Sequence, residues 1–381
     1  MNVLVLGLGI SGKSAVPFLE AKGAKVFVYD DKEPSGPIDF SILDLVIVSP
    51  GIAYTHPYYQ KAVEQGIEVI GEAELAFRYI NQPCLAITGT NGKTTVTALI
   101  EHVLNCCGIK AKALGNIGIP LTSYVPHPEE ILVVELSSYQ LETMTTKVFD
   151  AGVILNITPD HLDRYQSMEE YAAAKCRLEN CIKPGGTLYI YEEVEKEYKH
   201  LLKNYKTYGG HNFEEENIMA ARLLCNVKEE DFLKALATFK KPSHRVEFVK
   251  EIQGIRFYDD SKGTNIDAVI KAVNMMKGEV VLIAGGVDKG SSYVPWKKHF
   301  FGKVKKIIVI GQAADKIYQE LIDDFDVERE SSLQNAVERA KAVAARGDSV
   351  LLSPGCASFD MFKDYAHRGD QFKKYVMEMP E

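Results

Sequence analysis

Short apolar runs alternate with amphipathic stretches along the whole chain. Runs of strand length lie at residues 3–6, 25–29, 45–48, 68–70, 85–87, 131–135, 151–156, 187–191, 256–259, 280–284, 306–310 and 349–352. Helical periodicity separates many of them, for example at residues 96–103 and 333–345. Strands that alternate with helices form parallel sheets, and strands buried on both faces are apolar throughout. The pattern therefore predicts an α/β protein with mainly parallel sheets.

Length and two polar breaks divide the chain into predicted domains. A chain of 381 residues exceeds the usual size of one domain. Asn-Gln-Pro at residues 81–83 and Lys-Lys-Pro-Ser at residues 240–243 are the best linker candidates. We predict domains at residues 1–82, 83–241 and 242–381.

Composition and charge narrow the class of protein. The content of 46% hydrophobic and 25% charged residues is typical of a soluble globular protein. The formal net charge of −8 argues against broad binding to nucleic acid or anionic membranes. No run approaches the roughly 18 apolar residues of a membrane span, and the N-terminus reads as a strand rather than a signal peptide. Seven cysteines without a C-x-x-C pair fit reduced thiols, so we expect a cytoplasmic protein.

The most informative motif is Gly-Thr-Asn-Gly-Lys-Thr-Thr at residues 89–95, between a predicted strand and a predicted helix. Its two glycines allow backbone amides to face a phosphate, as in a P-loop. Lys93 adds a positive charge, and the Thr94 hydroxyl can join a Mg²⁺ shell. Ile87 stands where the consensus has its first glycine, so a plain glycine-rich turn is the alternative. The motif predicts binding of a nucleoside triphosphate.

A second glycine-rich motif, Gly-Leu-Gly-Ile-Ser-Gly, lies at residues 7–12 after the first predicted strand. With Asp30 at the end of the next strand, it matches a dinucleotide fingerprint and suggests a dehydrogenase. The motif itself specifies only a tight turn whose helix N-terminus faces an anion. A nucleotide-linked substrate and an NAD(P) cofactor both remain possible occupants.

Polar clusters follow several of the predicted strands. Glu135 ends one strand and suits a Mg²⁺ ligand, although a solvated strand-end glutamate is the alternative. Further clusters lie at residues 156–165, 243–247, 258–265 and 285–290, and Ser-Pro-Gly ends the strands at both residues 49–51 and 353–355. Ligands bind beyond the carboxyl ends of parallel strands, so one site between domains is expected. Lys175, among alanines, reads from composition as a solvated helix residue.

In their order and spacing, these motifs resemble the Mur ligase family. The resemblance covers nearly the whole chain and rests on the motifs at residues 89–95, 115–120, 135–142, 160–165, 172–175, 243–247, 259–265 and 351–362. It implies a Rossmann-like N-terminal domain, a central P-loop ATPase domain and a C-terminal Rossmann-like domain. It also implies an ATP-dependent amide ligase of peptidoglycan precursor synthesis, most similar to the members that join D-glutamate to UDP-N-acetylmuramoyl-L-alanine.

The resemblance also implies a set of site residues. Catalytic and metal-binding roles fall on Lys93, Thr94, Glu135, His161 and Lys175, with two Mg²⁺ ions and a carbamate on Lys175. ATP contacts fall on Gly89, Thr90, Asn91, Gly92, Lys93, Thr94, Thr95, Asn217, Arg245, Asp260 and Lys262. UDP-sugar contacts fall on Ile10, Ser11, Asp30, Asp31, Lys32, Ser49, Pro50, Gly51, Asn116, Ser137 and His161. D-Glutamate contacts fall on His161, Thr264, Lys289, Ser358, Phe359 and Tyr365.

Several features depart from the family pattern. The motif H-N-x-x-N is two residues longer here, and the adenine contact is assigned to Asn217 because residues 218–221 continue the family helix, with Asn212 as the alternative. Asp31 and Lys32 replace a more familiar Thr-Arg pair, and Tyr365 could equally be a packing residue. The chain is short for the family, so we expect trimmed loops. A sister Mur or folylpolyglutamate ligase and a non-catalytic P-loop switch are the alternative functions. We expect a monomer whose domains close during catalysis.

Overall fold

A computed structural model describes residues 1–34, 36–162 and 164–380, so Asp163 of the motif at residues 160–165 lies outside the described residues. Its strands form three mainly parallel sheets, which confirms the predicted α/β class. The chain divides into two compact units, Met1–Ile157 with Glu169–Lys240, and Thr158–Met168 with Lys241–Glu381. The first unit contains two sheets and the second unit contains the third. The three domain boundaries themselves stay a prediction.

The first sheet has four parallel strands in the order β2-β1-β3-β4. Its strands are β1 Asn2–Leu6, β2 Lys25–Tyr29, β3 Leu45–Val48 and β4 Glu68–Gly71. Its helices are α1 Ile10–Ala21, α2 Pro57–Glu64 and α3 Glu72–Phe77. Alternate residues of β1 point into two separate apolar clusters, because successive side chains of a strand face opposite sides of the sheet.

The second sheet has six parallel strands in the order β10-β9-β8-β5-β7-β6. Its strands are β5 Cys84–Thr88, β6 Ala111–Gly115, β7 Ile131–Glu135, β8 Phe149–Ile154, β9 Ile182–Tyr191 and β10 Lys206–Tyr208. Its helices are α4 Lys93–Cys106, α5 Ser138–Glu142, α6 Met168–Cys176, α7 Glu192–Tyr198, α8 Phe213–Cys225 and α9 Glu229–Leu236. The central strand β5 leads directly into the phosphate loop and α4.

The third sheet, in the second unit, has the order β11-β12-β16-β13-β14-β15, with only β11 antiparallel to its neighbour. Its strands are β11 Glu247–Ile252, β12 Ile255–Asp259, β13 Val280–Gly285, β14 Val304–Ile310, β15 Val327–Arg329 and β16 Ser349–Leu352. Its helices are α10 Ile266–Met275, α11 Pro295–Phe300, α12 Ala314–Leu321, α13 Leu333–Val343 and α14 Tyr365–Glu378. Apolar clusters cover both faces of this sheet.

Two buried glutamates of α3 join the two sheets of the first unit. Glu72 accepts hydrogen bonds from the backbone N–H and the hydroxyl of Thr122, at 2.6 and 2.7 Å. Glu74 accepts the N–H and hydroxyl groups of both Thr145 and Thr146. Burial raises the pKa of Glu72, whereas at Glu74 the hydrogen bonds outweigh burial and lower the pKa. Because these carboxylates are satisfied, they can be buried at the junction without a large cost.

Across the described residues, each helix is too short or too polar to cross a lipid bilayer.

Candidate active site

An asparagine that follows β8 fixes the conformation of the phosphate loop at residues 89–95. Gly89 and Gly92 have φ angles of 146° and 89°, which favour glycine. The Asn156 side-chain oxygen accepts the N–H of Asn91 at 2.8 Å, and its amide donates to the Asn91 carbonyl at 3.0 Å. The Asn156 carbonyl accepts the N–H of Thr90. Asn156 therefore fixes the loop conformation through its side chain and its backbone.

Two ammonium groups converge on one carbonyl of this loop. Lys93 Nζ donates to the carbonyls of Gly89 and Thr90 at 2.9 and 2.8 Å. Lys175 Nζ donates to the same Gly89 oxygen at 2.9 Å and lies 4.6 Å from the centre of the Tyr171 ring. Lys175 is only 1% exposed, so the interpretation of it as a solvated helix residue is wrong. The neighbouring alanines are small, and α6 buries this face.

Glu135 lies at the carboxyl end of β7 and is paired in register with Ile87 of β5, just before the phosphate loop. Its Oε1 accepts the side-chain amide of Asn116 at 2.9 Å. Its Oε2 is buried and has no hydrogen-bond partner among the described residues. A buried carboxylate oxygen without a partner is costly, so this atom fits a cation ligand. Asn116, predicted to hold the UDP-sugar, here orients this carboxylate.

The structure distinguishes the two asparagines that were candidates for the adenine contact. Asn212 begins α8 by accepting the N–H groups of Glu214 and Glu215, and it is exposed. Asn217 is buried on the same helix and lies against the phosphate loop, because a Cβ on Gly92 would be 2.4 Å from Asn217 Oδ1. The position of Asn217 favours it over Asn212 as a nucleotide contact.

The glycine-rich loop at residues 7–12 is tied to its own sheet. The Ser49 hydroxyl donates to the Gly7 carbonyl at 2.6 Å, and Asp30 Oδ2 accepts the N–H of Leu8 at 2.5 Å. Hydrogen bonds from the N–H groups of Leu8 and Lys32 lower the pKa of Asp30. A Cβ on Gly12 would lie 1.9 Å from the Gly7 carbonyl oxygen. Asp30 and Ser49 therefore shape this loop, whichever ligand it binds.

The other residues predicted to bind the UDP-sugar lie at strand ends of the first unit. Ile10 and Ser11 begin α1, and the Ile10 side chain is 80% exposed. Asp31 and Lys32 follow β2, where Asp31 Oδ1 lies 3.2 Å from a ring nitrogen of His56. Pro50 and Gly51 follow β3. Ser137 caps α5 through a reciprocal pair of hydrogen bonds with Gln140.

In the second unit, a buried carboxylate brings together three residues predicted to bind D-glutamate. Asp160 Oδ1 lies 3.1 Å from Lys289 Nζ and accepts the N–H of His161 at 2.9 Å. Lys289 Nζ also lies 3.4 Å from the Thr264 hydroxyl. Asn265 donates to Asp160 Oδ2 at 3.3 Å. Asp160 is absent from the predicted site residues, although the cluster at residues 156–165 contains it.

Asp260 is buried beside the second Ser-Pro-Gly turn. Its Oδ2 accepts the Ser353 hydroxyl at 2.6 Å, and its Oδ1 accepts the N–H of Val246 at 3.3 Å. Burial raises the pKa of Asp260 to about 7, against the opposing effects of Ser353 and Arg245. The Nε of Arg245 is buried without a hydrogen-bond partner in the described part of the chain. The assignment of both groups to nucleotide and phosphate contacts stays a prediction.

A histidine–aspartate pair supports the same loop. His244 has a φ of 62°, and its Nδ1 lies 2.6 Å from Oδ2 of the buried Asp259. A Cβ on Gly369 would lie 2.2 Å from this ring nitrogen, so α14 needs a glycine there. With Glu247 these residues offer three metal-ligand atoms within 4.8 Å of one another. Because His244 and Asp259 already bind each other, we interpret the pair as an anchor for Arg245.

The remaining predicted residues also lie in the second unit. Lys262 Nζ lies 5.1 Å from the centre of the Tyr365 ring, which places Tyr365 beside the nucleotide-binding candidates. Ser358 is buried, whereas the Phe359 side chain is 73% exposed. An isolated backbone bridge between Val287 and Ala357 joins the segment before Lys289 to the segment before Ser358.

Family comparisons agree with this arrangement of a phosphate loop and polar strand ends. The Mur ligase middle domain matches residues 87–255, and the Mur ligase glutamate ligase domain matches residues 244–356. The chain belongs to the Mur ligase family.

Its relatives define a narrower group within that family. A UDP-N-acetylmuramoylalanine–D-glutamate ligase of Protochlamydia amoebophila is 47% identical, over 98% of this chain and 97% of the relative. The enzyme of the same name from Caldanaerobacter subterraneus is 39% identical, over 99% and 98%. The first alignment extends over 432 residues, more than the 381 of this chain, so it contains gaps in this chain.

Solved Mur ligases share the fold. The UDP-N-acetylmuramate–alanine ligase of Thermotoga maritima matches with a TM-score of 0.62 at 16% identity, over 99% of both chains. The MurF ligase of the same organism, solved with ADP, matches with a TM-score of 0.62 at 14% identity, over 99% of this chain and 95% of that one.

Proposed function

We propose that this chain joins D-glutamate to UDP-N-acetylmuramoyl-L-alanine with the consumption of ATP. The buried Oε2 of Glu135, beside the phosphate loop, carries the proposal, because it fits a cation that accompanies a transferring phosphoryl group. The name shared by the full-length relatives supports the choice of D-glutamate as the amino acid. Within this proposal the enzyme works in the cytoplasm as a monomer.

The proposed reaction has two chemical steps. The carboxylate of UDP-N-acetylmuramoyl-L-alanine attacks the γ-phosphorus of ATP, which forms an acyl phosphate and releases ADP. The amine of D-glutamate then attacks the acyl carbon and loses a proton to solvent as the amide bond forms, and phosphate leaves with the electron pair of the broken C–O bond. Because a carboxylate is a poor acyl donor, the first step supplies its leaving group.

Residues of the phosphate loop position ATP in this scheme. The amides of residues 89–95 and the Lys93 ammonium bind the phosphates, and Asn217 contacts the adenosine part of the nucleotide. Thr94 and Glu135 would hold one Mg²⁺, and bound Mg²⁺ would neutralise the charge of the phosphoryl group. Arg245, Asp260 and Lys262 add further nucleotide contacts. These residues mainly position and neutralise anions, which is what phosphoryl transfer requires.

Lys175 is proposed to carry a carbamate. A carbamate forms from CO₂ on a neutral amine, a form that buried lysines reach more readily than solvated ones, and Lys175 is 1% exposed. A carbamate would convert this position from a cation to an anionic oxygen ligand. Together with His161 it is proposed to hold a second Mg²⁺.

Two further substrate regions complete the proposal. The loops of the first sheet bind the UDP-sugar through Ile10, Ser11, Asp30, Asp31, Lys32, Ser49, Pro50 and Gly51, with Asn116, Ser137 and His161. Thr264, Lys289 and Ser358, with His161, Phe359 and Tyr365, bind D-glutamate. An ammonium and hydroxyl groups suit the side-chain carboxylate of this substrate.

Phosphate release from ATP tests the function. We expect release only when UDP-N-acetylmuramoyl-L-alanine and D-glutamate are both present. Release with another amino acid in place of D-glutamate would indicate a sister ligase, and release without any amino acid would refute the ligase function.

Lys175→Ala tests the carbamate separately. We expect it to be nearly inactive and partly rescued by short carboxylates such as formate or acetate. Lys183→Ala, which removes a half-buried lysine paired with Asp150, is the matched control. Full wild-type activity after depletion of bicarbonate would count against the carbamate.

A further inference from the structure

Arg368, on the first turns of α14, is a buried arginine to which the proposed reaction assigns no role. Its side chain is among the largest fully buried in the protein, with an exposure of 1%. Burying a charged group such as a guanidinium costs roughly several kcal/mol unless its hydrogen-bond donors are satisfied. The hydrogen-bond partners of Arg368 therefore indicate what this buried guanidinium does in the second unit.

The guanidinium binds the backbone of two separate loops. On one side, Nε donates to the Ser261 hydroxyl at 2.9 Å and Nη2 donates to the Ser261 carbonyl at 2.8 Å. On the other side, Nη1 and Nη2 both donate to the Cys356 carbonyl at 3.2 Å, and Nη1 lies 3.4 Å from the Ala357 carbonyl. The planar fork of arginine can span two such loops, whereas a lysine ammonium is a single point.

The residues next to these anchor points are those assigned to substrates. Ser261 lies between Asp260 and Lys262, which are assigned to ATP. Ala357 directly precedes Ser358, which is assigned to D-glutamate. A third loop is also close, because a Cβ on Gly286 would lie 3.2 Å from Arg368 Nη1, three residues before Lys289.

Other contacts hold Arg368 and its anchor points in place. The Ser261 hydroxyl donates to the Tyr365 carbonyl at 2.8 Å, so the first turn of α14 also contacts the ATP loop. The Val287 and Ala357 backbones bond each other in both directions. Tyr293 OH lies 3.0 Å from Cys356 Sγ. The two loops also bond each other directly, because the Gly355 N–H donates to the Gly263 carbonyl at 2.8 Å. Arg368 adds a side chain that reaches both the Ser261 loop and the Cys356 loop.

We infer that Arg368 is a positioning residue that fixes the ATP loop at residues 259–263 against the D-glutamate loop at residues 355–359. This inference rests on the proposed function, because the proposed function is what assigns these loops to ATP and D-glutamate. A change at Arg368 should therefore affect the binding of ATP and D-glutamate together, although the side chain touches neither.

Arg368→Lys is the principal test, because it keeps the charge and most of the volume. We expect the KM values for ATP and D-glutamate each to rise by about tenfold or more, since a small displacement of positioning groups has effects of that order. The KM for the UDP-sugar, whose assigned contacts other than His161 lie in the first unit, should change by less than about twofold. Arg339→Lys, which alters a surface arginine bound to Glu328, is the matched control and should change none of them.

Two further measurements separate positioning from general destabilisation. In the protein without substrates, Arg368→Lys should accelerate hydrogen exchange at residues 259–263 and 355–359 more than in the cores of β13 and β14. In Arg368→Ala, added guanidinium ion should restore part of the activity, whereas added methylammonium should not. If Arg368→Ala does not fold, Arg368→Lys still decides the question.

Unchanged KM values in Arg368→Lys, or an equal rise in all three KM values with uniformly faster exchange, would overturn the inference. A wild-type protein without D-glutamate-dependent activity would instead refute the proposed function. The exchange comparison would then still test whether Arg368 joins the two loops.

Discussion

The two glycine-rich loops of the first unit share one design, a strand followed by a tight turn and a helix, but they differ in what surrounds the turn. At residues 7–12, a carboxylate and a hydroxyl bind the loop backbone. At residues 89–95, an asparagine side chain and the nitrogens of two lysines bind it. Both turns offer a helix N-terminus to an anion, but a carboxylate and a hydroxyl hold the first turn, whereas an amide and two lysine nitrogens hold the second. The glycine pattern therefore specifies a turn, and the neighbouring side chains decide which ligand it suits.

Among the substitutions that test this comparison, Glu135→Gln should reduce activity most, because it removes the carboxylate charge beside the second loop. The substitution keeps the shape of the side chain and its contact with Asn116. We expect kcat to fall by about 10³-fold, as for the loss of other preorganised groups at a site of developing charge. Phosphate release measured over a range of Mg²⁺ concentrations is the assay. Glu129→Gln, at an exposed glutamate, is the control, and wild-type Mg²⁺ dependence in Glu135→Gln would refute the metal assignment.

An alanine substitution in each glycine-rich loop should show which loop binds the UDP-sugar and which binds ATP. Gly12→Ala forces a Cβ against the Gly7 carbonyl, and Gly92→Ala forces one against Asn217 at a φ of 89°. We expect each change to cost about 2 kcal/mol of stability, the usual scale for overpacking. Gly12→Ala should raise the KM for the UDP-sugar, and Gly92→Ala should raise the KM for ATP.

Gly108→Ala, two residues beyond α4, is the control for both alanine variants, because Gly108 has a φ of 77° and a Cβ there meets no atom within 4 Å. If Gly12→Ala raised the KM for ATP instead, the assignment of the two loops would be reversed.

Asn212, which caps α8, and Asn217, which lies on it, should affect different properties when they are replaced. Asn217→Ala removes a buried amide next to Gly92, so the KM for ATP should rise by about tenfold, as expected for one lost hydrogen bond. Asn212→Ala removes the helix cap and should cost about 1 kcal/mol of stability with little change in this KM. Steady-state kinetics and urea unfolding of both variants measure the difference. A rise in the KM only in Asn212→Ala would move the adenine contact to that residue.

Asp30→Asn should have the smallest effect, a modest loss of stability that is present at neutral pH and disappears as the pH falls. Hydrogen bonds from Leu8 and Lys32 lower the pKa of Asp30 in the folded protein. Its contribution to stability is therefore present above the unfolded pKa, about 3.9, and is lost as the pH falls through the folded value. Urea midpoints between pH 3 and pH 5, a window of about one unit on either side of that value, should depend less on pH in the variant. Glu33→Gln, an exposed neighbour, is the control, and an unchanged pH dependence in Asp30→Asn would contradict this account.

The interior strands could be predicted from the sequence, whereas several edge strands could not. All four inner strands of each six-stranded sheet coincide with predicted apolar runs, because both of their faces are covered. The four that were missed, β6, β10, β11 and β15, are the edges of these two sheets. An edge strand has only one neighbour and tolerates polar residues, so its pattern is weaker.

The candidate site shows a similar limit. The glycines, Lys93 and Glu135 stand out by their position next to apolar strands. Burial of Lys175 and the role of Asp160 depend on contacts between segments far apart in sequence, which local pattern does not contain. Arg368 carries no local signal, because its partners are mostly backbone carbonyls.

The segment Thr158–Met168 is placed in the second unit although the chain on both sides of it belongs to the first. This has a practical meaning for dissecting the protein. A fragment that ends at residue 240 would retain Asp160 but lose Lys289, and a fragment that begins at residue 241 would retain Lys289 but lose Asp160. In each fragment, Asp160 or Lys289 would lose its charged partner and would have to be solvated by water instead. Independent expression of the halves is therefore best attempted with residues 158–168 grafted onto the C-terminal fragment through a short linker.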